Sequence, residues 1–344
     1  MIKFNHRWAI FVEERGGEDL NKESLGIQRS TDMKVVLQRR RGFMEKAKFE
    51  ILQNWGLYLL LLPTLLYVII FHYGPMYGVL IAFKDFSAGL GIMGSKWVGF
   101  KHFTKFLGSY NFWSLLKNTL TLSVYSLIAG FPIPIIFALF LNYVGNRKLQ
   151  KSIQTISYAP HFISTVVLVG MLSVFLSPST GLVNILLRTL GLTPVLFMGS
   201  APLFKHIYVW SGIWQGTGWA SIIYIASLTN IDQVLHEAAI IDGATKWQRM
   251  WYIDLRGILP TAITLLILNT GSIMSVGFEK AFLMQNSLNL ESSEIISTYV
   301  YKVGLLGAQF SYSSAVGLFN SVVGFILIIA VNYISKKQAD ISIW

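Results

Sequence analysis

Three observations predict an all-α membrane protein with six transmembrane helices. Hydrophobic residues make up 53% of the 344-residue chain and charged residues only 13%, where a soluble domain carries about 25%; the mean hydropathy is +0.53. The apolar residues gather into six blocks, each near the ~20 residues a helix needs to cross the ~30 Å hydrocarbon core of a bilayer. Lys and Arg are unevenly shared between the segments joining those blocks, as in chains that keep their basic loops in the cytoplasm.

Taken in order, residues 1–52 form a polar amino-terminal extension holding eleven Lys or Arg and eight Asp or Glu, with Arg39, Arg40 and Arg41 ahead of the first apolar block. Its apolar patch, residues 8–12, is shorter than the 7–15 residues of a signal-peptide core, so the extension is expected to remain attached in the cytoplasm. Residues 2–12 read either as an interfacial helix or as a loosely docked tail. The spans are expected at 53–72, 119–143, 153–176, 206–228, 258–278 and 312–334. With the amino terminus inside, 19 Lys and Arg lie on the cytoplasmic side and nine outside, which predicts both termini inside. Pro63, Pro132, Pro134 and Pro160 fall within spans or at their edges, where each removes a backbone donor and bends the helix unless neighbours compensate. Gly216, Gly218, Gly271, Gly317 and Gly324 permit close helix packing.

Several chemistries are excluded. There is no cysteine, hence no disulfide, thiolate nucleophile or iron–sulfur ligand. The histidines at 6, 72, 102, 161, 206 and 236 never stand three to five apart, so no helical zinc pair exists and no metal site is expected. The net charge of +11 fits retained cytoplasmic loops better than a nucleic-acid surface, and no nucleic acid is expected as a partner. Gly89, Gly91 and Gly94 spell a dinucleotide pattern, but without a preceding strand or a following acid. Gly-Lys never occurs as a dipeptide, so no phosphate-cradling Walker loop is present. Neither a nucleophile elbow nor paired carboxylates interrupt the apolar blocks, and the chain reads as a non-enzyme.

One loop carries a pattern of its own. About 30 residues separate the fourth and fifth blocks. Asn230 is expected to cap a short helix there, with Ile231, Val234, Leu235, Ala238 and Ile241 on one face and Asp232, Gln233, His236 and Glu237 on much of the other. Ala238 and Ala239 allow a neighbouring surface to approach, and Gly243 suits the left-handed turn that closes a helix. The predicted object is an amphipathic docking helix lying along the membrane surface.

These residues resemble a known family. Glu237-Ala238-Ala239, then three residues, Gly243, nine residues, and Ile253-x-Leu255 match the signature of bacterial ABC-importer permeases, extended by Asp242 and Ala244. The departure is Arg256 where the family has proline; the next proline, Pro260, is expected to set the entry to the fifth helix. The resemblance covers residues 53–344 and implies a six-helix type I ABC importer transmembrane domain with a cytoplasmic coupling helix in the loop at about 229–257. In that family the loop sits in a groove of a partner ATPase, which assigns ATPase coupling to Glu237, Ala238, Ala239, Asp242, Gly243 and Ala244. It also implies a second permease, two ATP-binding cassette subunits holding ATP and Mg, an extracellular solute-binding protein, and no cofactor bound by this chain. Residues 82–86, 97–100, 275–279 and 296–301, with Trp344, are similar to the branch that imports complex oligosaccharides. The implied function is that of a permease subunit forming half the pathway of an ATP-driven oligosaccharide importer in the bacterial cytoplasmic membrane.

Sugar sites combine aromatic faces with amide and carboxylate groups, so Trp210, Trp214, Gln215, Asn269, Ser272, Glu279 and Asn320 are the candidate path residues. Each has an alternative reading as helix-packing polarity, and Glu279 and Lys280 also as interface anchors. Trp97, Phe100, Phe103, Phe106, Tyr110 and Trp113 are expected to form an outer surface for the binding protein or an aromatic belt. A competing class is a secondary transporter driven by an ion gradient, which calls for buried ionisable relays and paired broken repeats; neither pattern is evident in the sequence.

Overall fold

The computed structural model describes residues 52–271, 273–274 and 277–339. The amino-terminal extension up to residue 51, Ser272 and Trp344 lie outside the described residues. Internal contacts divide the chain into two units, Met1–Tyr77 and Gly78–Trp344. The first unit holds most of α1, Trp55–Phe83, a 29-residue helix. Its first part, Trp55–Val68, is apolar all round rather than striped, the pattern of a membrane-crossing segment. Pro63 sits inside it, and a π-helical turn follows at Ile69–Tyr73.

The second unit begins with a two-stranded antiparallel ribbon, β1 Lys84–Asp85 and β2 Lys96–Trp97, in register Lys84 opposite Trp97. Helices α2 (Lys101–Leu107), α3 (Phe112–Asn142), α4 (Arg147–Tyr158), α5 (Thr165–Phe175), α6 (Leu182–Thr189) and α7 (Ala201–Thr229) follow. Then come α8 (Gln233–Ile241), α9 (Lys246–Gly271), α10 (Phe278–Met284), α11 (Ile296–Tyr301) and α12 (Phe310–Ala339).

Helices occur at all six expected blocks, but the six-span count is not reproduced. Among the described residues, four helices are long and apolar enough to cross a membrane, α1, α3, α9 and α12, or five if the bent pair α4–α5 is one span. Two blocks account for the difference. The block at 153–176 folds as two helices meeting at 99°, because Pro160 ends the α4 ladder in a 3-10 turn and Ile163 and Ser164 are extended. Ser164 then caps α5, its hydroxyl accepting from the Val167 amide at 3.3 Å. Helix α4 is strongly amphipathic and polar on average, the character of a helix lying at an interface. The block at 206–228 folds as the 29-residue α7, in which Gln215 and the interspersed serines and glycines dilute the apolar residues. The fifth helix begins at Lys246 and ends at Gly271, and Pro260, expected at its entry, lies within it.

Three clusters of buried side chains hold the second unit together. Leu122, Val169, Phe204, Tyr208, Ala281, Met284 and Ile295 join α3, α5, α7 and α10. Ile135, Leu139, Tyr224, Leu228, Met250 and Ile258 join the later halves of α3 and α7 to α9. Phe106, Phe112, Leu115, Met274, Ile296, Tyr312 and Val316 fasten α2 and α11 to α3 and α12. Helix α7 runs between the first two clusters and packs on α4 through Gly218, where a Cβ would collide with the Ser157 carbonyl.

Candidate functional site

Helix α8 is closed at both ends by its own chemistry. Asp232, not Asn230, is the cap: its carboxylate accepts from the Val234 amide at 2.9 Å, while Asn230 closes α7. Both residue types cap well, so the choice turns on where α7 stops. At the other end Gly243 has φ +77°, and the Ala244 amide donates to Ala239 O at 2.8 Å. The left-handed residue and this long backward bond form the expected glycine stop. Glu237, Ala238, Asp242 and Gly243 are exposed, and Ala239 and Ala244 are half-buried. The capping box of Thr245 and Gln248 starts α9 directly afterwards.

The face that α8 turns inward differs from the expected apolar one. Val234, Leu235 and Ile241 are 62%, 53% and 85% exposed, whereas His236 and Ala239 face the helices. The reason is a polar anchor. Asp254, which ends a π-helical turn at Met250–Asp254, is fully buried, and a buried carboxylate requires partners. The Tyr143 hydroxyl, just past the end of α3, donates to its Oδ2 at 2.6 Å. His236 Nε2 stands 3.2 Å from Oδ1, within ion-pair reach but not aligned as a hydrogen bond. Burial and the Asp254 carboxylate together push the Tyr143 hydroxyl above the ordinary tyrosine range. Ile231 adds an apolar contact with α9 at Gly257, where a Cβ would lie 2.6 Å from the Ile231 side chain. Asp254 and Tyr143 were not singled out from sequence; the available signal was one carboxylate inside the apolar run 250–255.

A largely apolar cleft with a few polar side chains opens where α3 breaks its ladder. Pro132 and Pro134 deprive the carbonyls one turn earlier of their donors, and Gly130 removes bulk beside them. Two adjoining cavities, about 450 and 370 Å³, share Ser126, Gly130, Pro134, Tyr208 and Ala220. Asn269 lines the larger and Gln215 the smaller, and Gln215 also donates to Ile163 O at 2.7 Å, holding the elbow between α4 and α5. Lys280 lines the smaller cavity, donates to Tyr208 O at 2.8 Å and lies 4.8 Å above the Tyr208 ring.

The other candidate path residues lie elsewhere. Trp210 and Trp214 line a separate, apolar cavity of about 410 Å³ with Leu168, Met171, Phe175 and Ile207. Trp210 donates to the Tyr125 hydroxyl at 2.9 Å, which in turn bonds His206 at 2.9 Å. Asn320 donates to Met274 O at 2.9 Å, tying α12 to the chain after α9. Glu279 is exposed in the first turn of α10, and Ser272 is outside the described residues. The structure therefore brings Gln215 and Asn269 to one cleft, while Trp210 and Trp214 line another cavity and Asn320 ties helices together.

The segment before α3 packs on the start of α12. The Phe86 amide donates to Ser311 Oγ at 2.8 Å. Asp85 receives Lys101 at 2.7 Å and approaches His102 at 3.0 Å; the Lys101 ammonium, seconded by His102, holds the Asp85 carboxyl below its ordinary range. Trp97, Phe100, Tyr110 and Trp113 are exposed and Phe103 half-buried. Phe106 instead is a core residue, 1% exposed, so it does not belong to the expected aromatic surface.

Comparison with known proteins gives concordant matches. A family model described as "Binding-protein-dependent transport system inner membrane component" matches residues 130–340. Protein LplB of Bacillus subtilis (strain 168) is 48% identical over 281 residues, 82% of this chain and 88% of that protein. The polygalacturonan/rhamnogalacturonan transport system permease protein YteP of the same organism is 42% identical over 295 residues, 86% of this chain and 92% of that protein. Among solved structures, the chain is similar to one in the crystal structure of a bacterial ABC transporter involved in the import of the acidic polysaccharide alginate. The TM-score is 0.80 at 41% identity, covering 86% of this chain and 99% of the other.

Proposed function

Since the chain belongs to the family of inner membrane components of binding-protein-dependent transport systems, we propose that it is the permease subunit of an ATP-driven ABC importer for oligosaccharides. Residues 53–344 form the permease domain and residues 1–52 a cytoplasmic extension. The chain provides half of the translocation pathway, beside a second permease and two ATPase subunits that hold ATP and Mg, with both termini in the cytoplasm. An external solute-binding protein delivers the sugar, and the exposed aromatic residues of the segment before α3 are where it docks. The sugar cargo follows the relatives, among them a polygalacturonan/rhamnogalacturonan permease and an alginate importer solved with a pentasaccharide-bound periplasmic protein.

The observation that carries this reading is the build of α8: capped at both ends, exposing Glu237, Ala238 and Asp242, and anchored through His236 to Asp254. A helix that enters a partner's groove must present polar and small side chains outward, and it must be stiffly joined to what it moves. Closure of the ATPases displaces α8, and the Asp254 anchor passes that displacement to α3 and α9, which border the cleft. Alternation between inward-open and outward-open states follows from the two positions of this joint.

The test is sugar uptake into vesicles holding the assembled importer. Uptake is expected to require the ATPase subunits and ATP. Glu237→Lys, and Gly243→Pro, which forces φ near −65° where the native value is +77°, should each cut uptake at least tenfold with membrane insertion unchanged. Full uptake without the ATPases, or normal uptake in both variants, would refute the assignment.

A further inference from the structure

The buried cation Lys280 has no described role in coupling. It is 8% exposed, and an ammonium withdrawn from water needs compensation. Among the described residues, no carboxylate comes within 4 Å of its Nζ: the ion pairs are those of Asp85 with Lys101 and His102, His236 with Asp254, and Lys302 with Glu294. Its neighbour in sequence, Glu279, points to the exposed side of α10 instead. What Lys280 does have is one backbone carbonyl, Tyr208 O at 2.8 Å, and the face of the Tyr208 ring at 4.8 Å. An ammonium carries three donors, so these leave capacity for an anion.

The surroundings suit a ligand more than a plain helix tie. Lys280 lines the cavity of about 370 Å³ with Ser126, Tyr208, Gln215 and Thr217, within the size range of small-molecule sites. Ser126 Oγ, at the same cavity, is buried without a hydrogen-bond partner, so a second polar group there is unsatisfied. Gly212 keeps the approach open, since a Cβ at that position would lie 3.2 Å from Nζ. A cation, a hydroxyl, an amide and a tyrosine face around one cavity complement a ring that bears both hydroxyls and a carboxylate.

We propose that Lys280 is a carboxylate-binding residue of the cleft, with Ser126 and Gln215 beside it, and that the sugar it receives is a uronate. This rests on the oligosaccharide reading above and narrows it to acidic chains. The anionic headgroup of a lipid shares the charge, and the experiment separates the two sources.

The assembled importer is placed in nanodiscs of zwitterionic lipid and titrated with tetragalacturonate and with its fully methyl-esterified form. The wild type should bind the free acid at least tenfold more tightly, which is about 1.4 kcal/mol. Lys280→Met should bring the ratio to one, Lys280→Arg should keep most of it, and Gly212→Ala, which crowds Nζ without removing its charge, should narrow it. An equal affinity of the wild type for both probes, or an undiminished ratio in Lys280→Met, would overturn the proposal and leave the oligosaccharide reading standing. Parallel loss of both probes in Lys280→Met and Lys280→Arg would make Lys280 a structural tie and also overturn it. Binding of neither probe by the wild type, joined to absent uptake, would sink the oligosaccharide reading itself. In discs containing phosphatidylglycerol, lipid retained by the wild type and lost in Lys280→Met, without discrimination between the sugars, would assign the site to a headgroup and overturn the uronate.

Discussion

Replacing Tyr143 with phenylalanine tests the anchor beneath α8 with one oxygen atom. The substitution removes a 2.6 Å hydrogen bond to a carboxylate that is itself fully buried. Hydrogen bonds to charged groups contribute about 1.5–3 kcal/mol, and because Tyr143 is only half-buried, water can replace part of it, so the expected loss is about 1.5 kcal/mol. With a melting shift of about 2–4 °C per kcal/mol for a chain of a couple of hundred residues or more, Tyr143→Phe should melt about 3–6 °C lower by intrinsic fluorescence in detergent. Combined with Asp254→Asn, the two losses should fall short of additive by about 1 kcal/mol, since both act on one contact. Alkaline titration gives a second readout. The tyrosine is held neutral in the fold above its ordinary range, so its contribution is fully present below about pH 10, where the unfolded side chain ionises. Stability falls as pH rises beyond that point, and Tyr143→Phe should lack this part of the slope. An unchanged melting temperature with strictly additive variants would refute the anchor.

Two further perturbations address the helix elbow and the outer ribbon. Gly218→Ala places a methyl group against the Ser157 carbonyl, so α7 and α4 must separate; an overpacking cost of about 1–3 kcal/mol should appear as a lower melting temperature, and an unaltered one would show that the contact gives way freely. The Asp85 carboxyl is held low by Lys101, so its contribution is present above the unfolded value near pH 3.9 and is lost as pH falls through the folded one. Amide exchange across residues 84–97 should accelerate on acidification below about pH 4 in the wild type relative to Asp85→Asn, and parallel profiles would dismiss the ion pair as a stabiliser.

Much of this architecture can be read from periodicity and composition, and the failures have physical causes. Apolar blocks locate the helices because bilayer thickness fixes their length, but they do not reveal that Pro160 folds one block into an elbow, since proline also occurs inside unbroken spans such as α1 at Pro63. The stop at Gly243 is legible because few residues tolerate positive φ. The start at Asp232 is ambiguous beside Asn230 because both side chains cap. Trp210, Trp214 and Gln215 recur together at helical spacing, yet only packing decides that Gln215 lines the cleft while the two tryptophans line another cavity. Asp254 and Lys280 were the least legible: a lone charge in an apolar run reads as an interface anchor until its neighbours show that it is enclosed. Glu279 and Lys280 are adjacent in sequence and opposite in fate, a distinction set by the turn of α10 rather than by residue type.

Helix α9 spans 26 residues from Lys246 to Gly271, a rod about 39 Å long at 1.5 Å per residue. A π-helical turn and Pro260 lie within this rod without severing it. Asp254 sits near the foot, and Leu265 and Asn269, close to the opposite tip, border the larger cavity. A tilt of about 10° at the foot would sweep that tip sideways by roughly 7 Å over such a length. If α8 drives the pathway as proposed, α9 supplies gearing: a small nudge at the buried aspartate becomes a displacement several times larger at the residues lining the larger cavity.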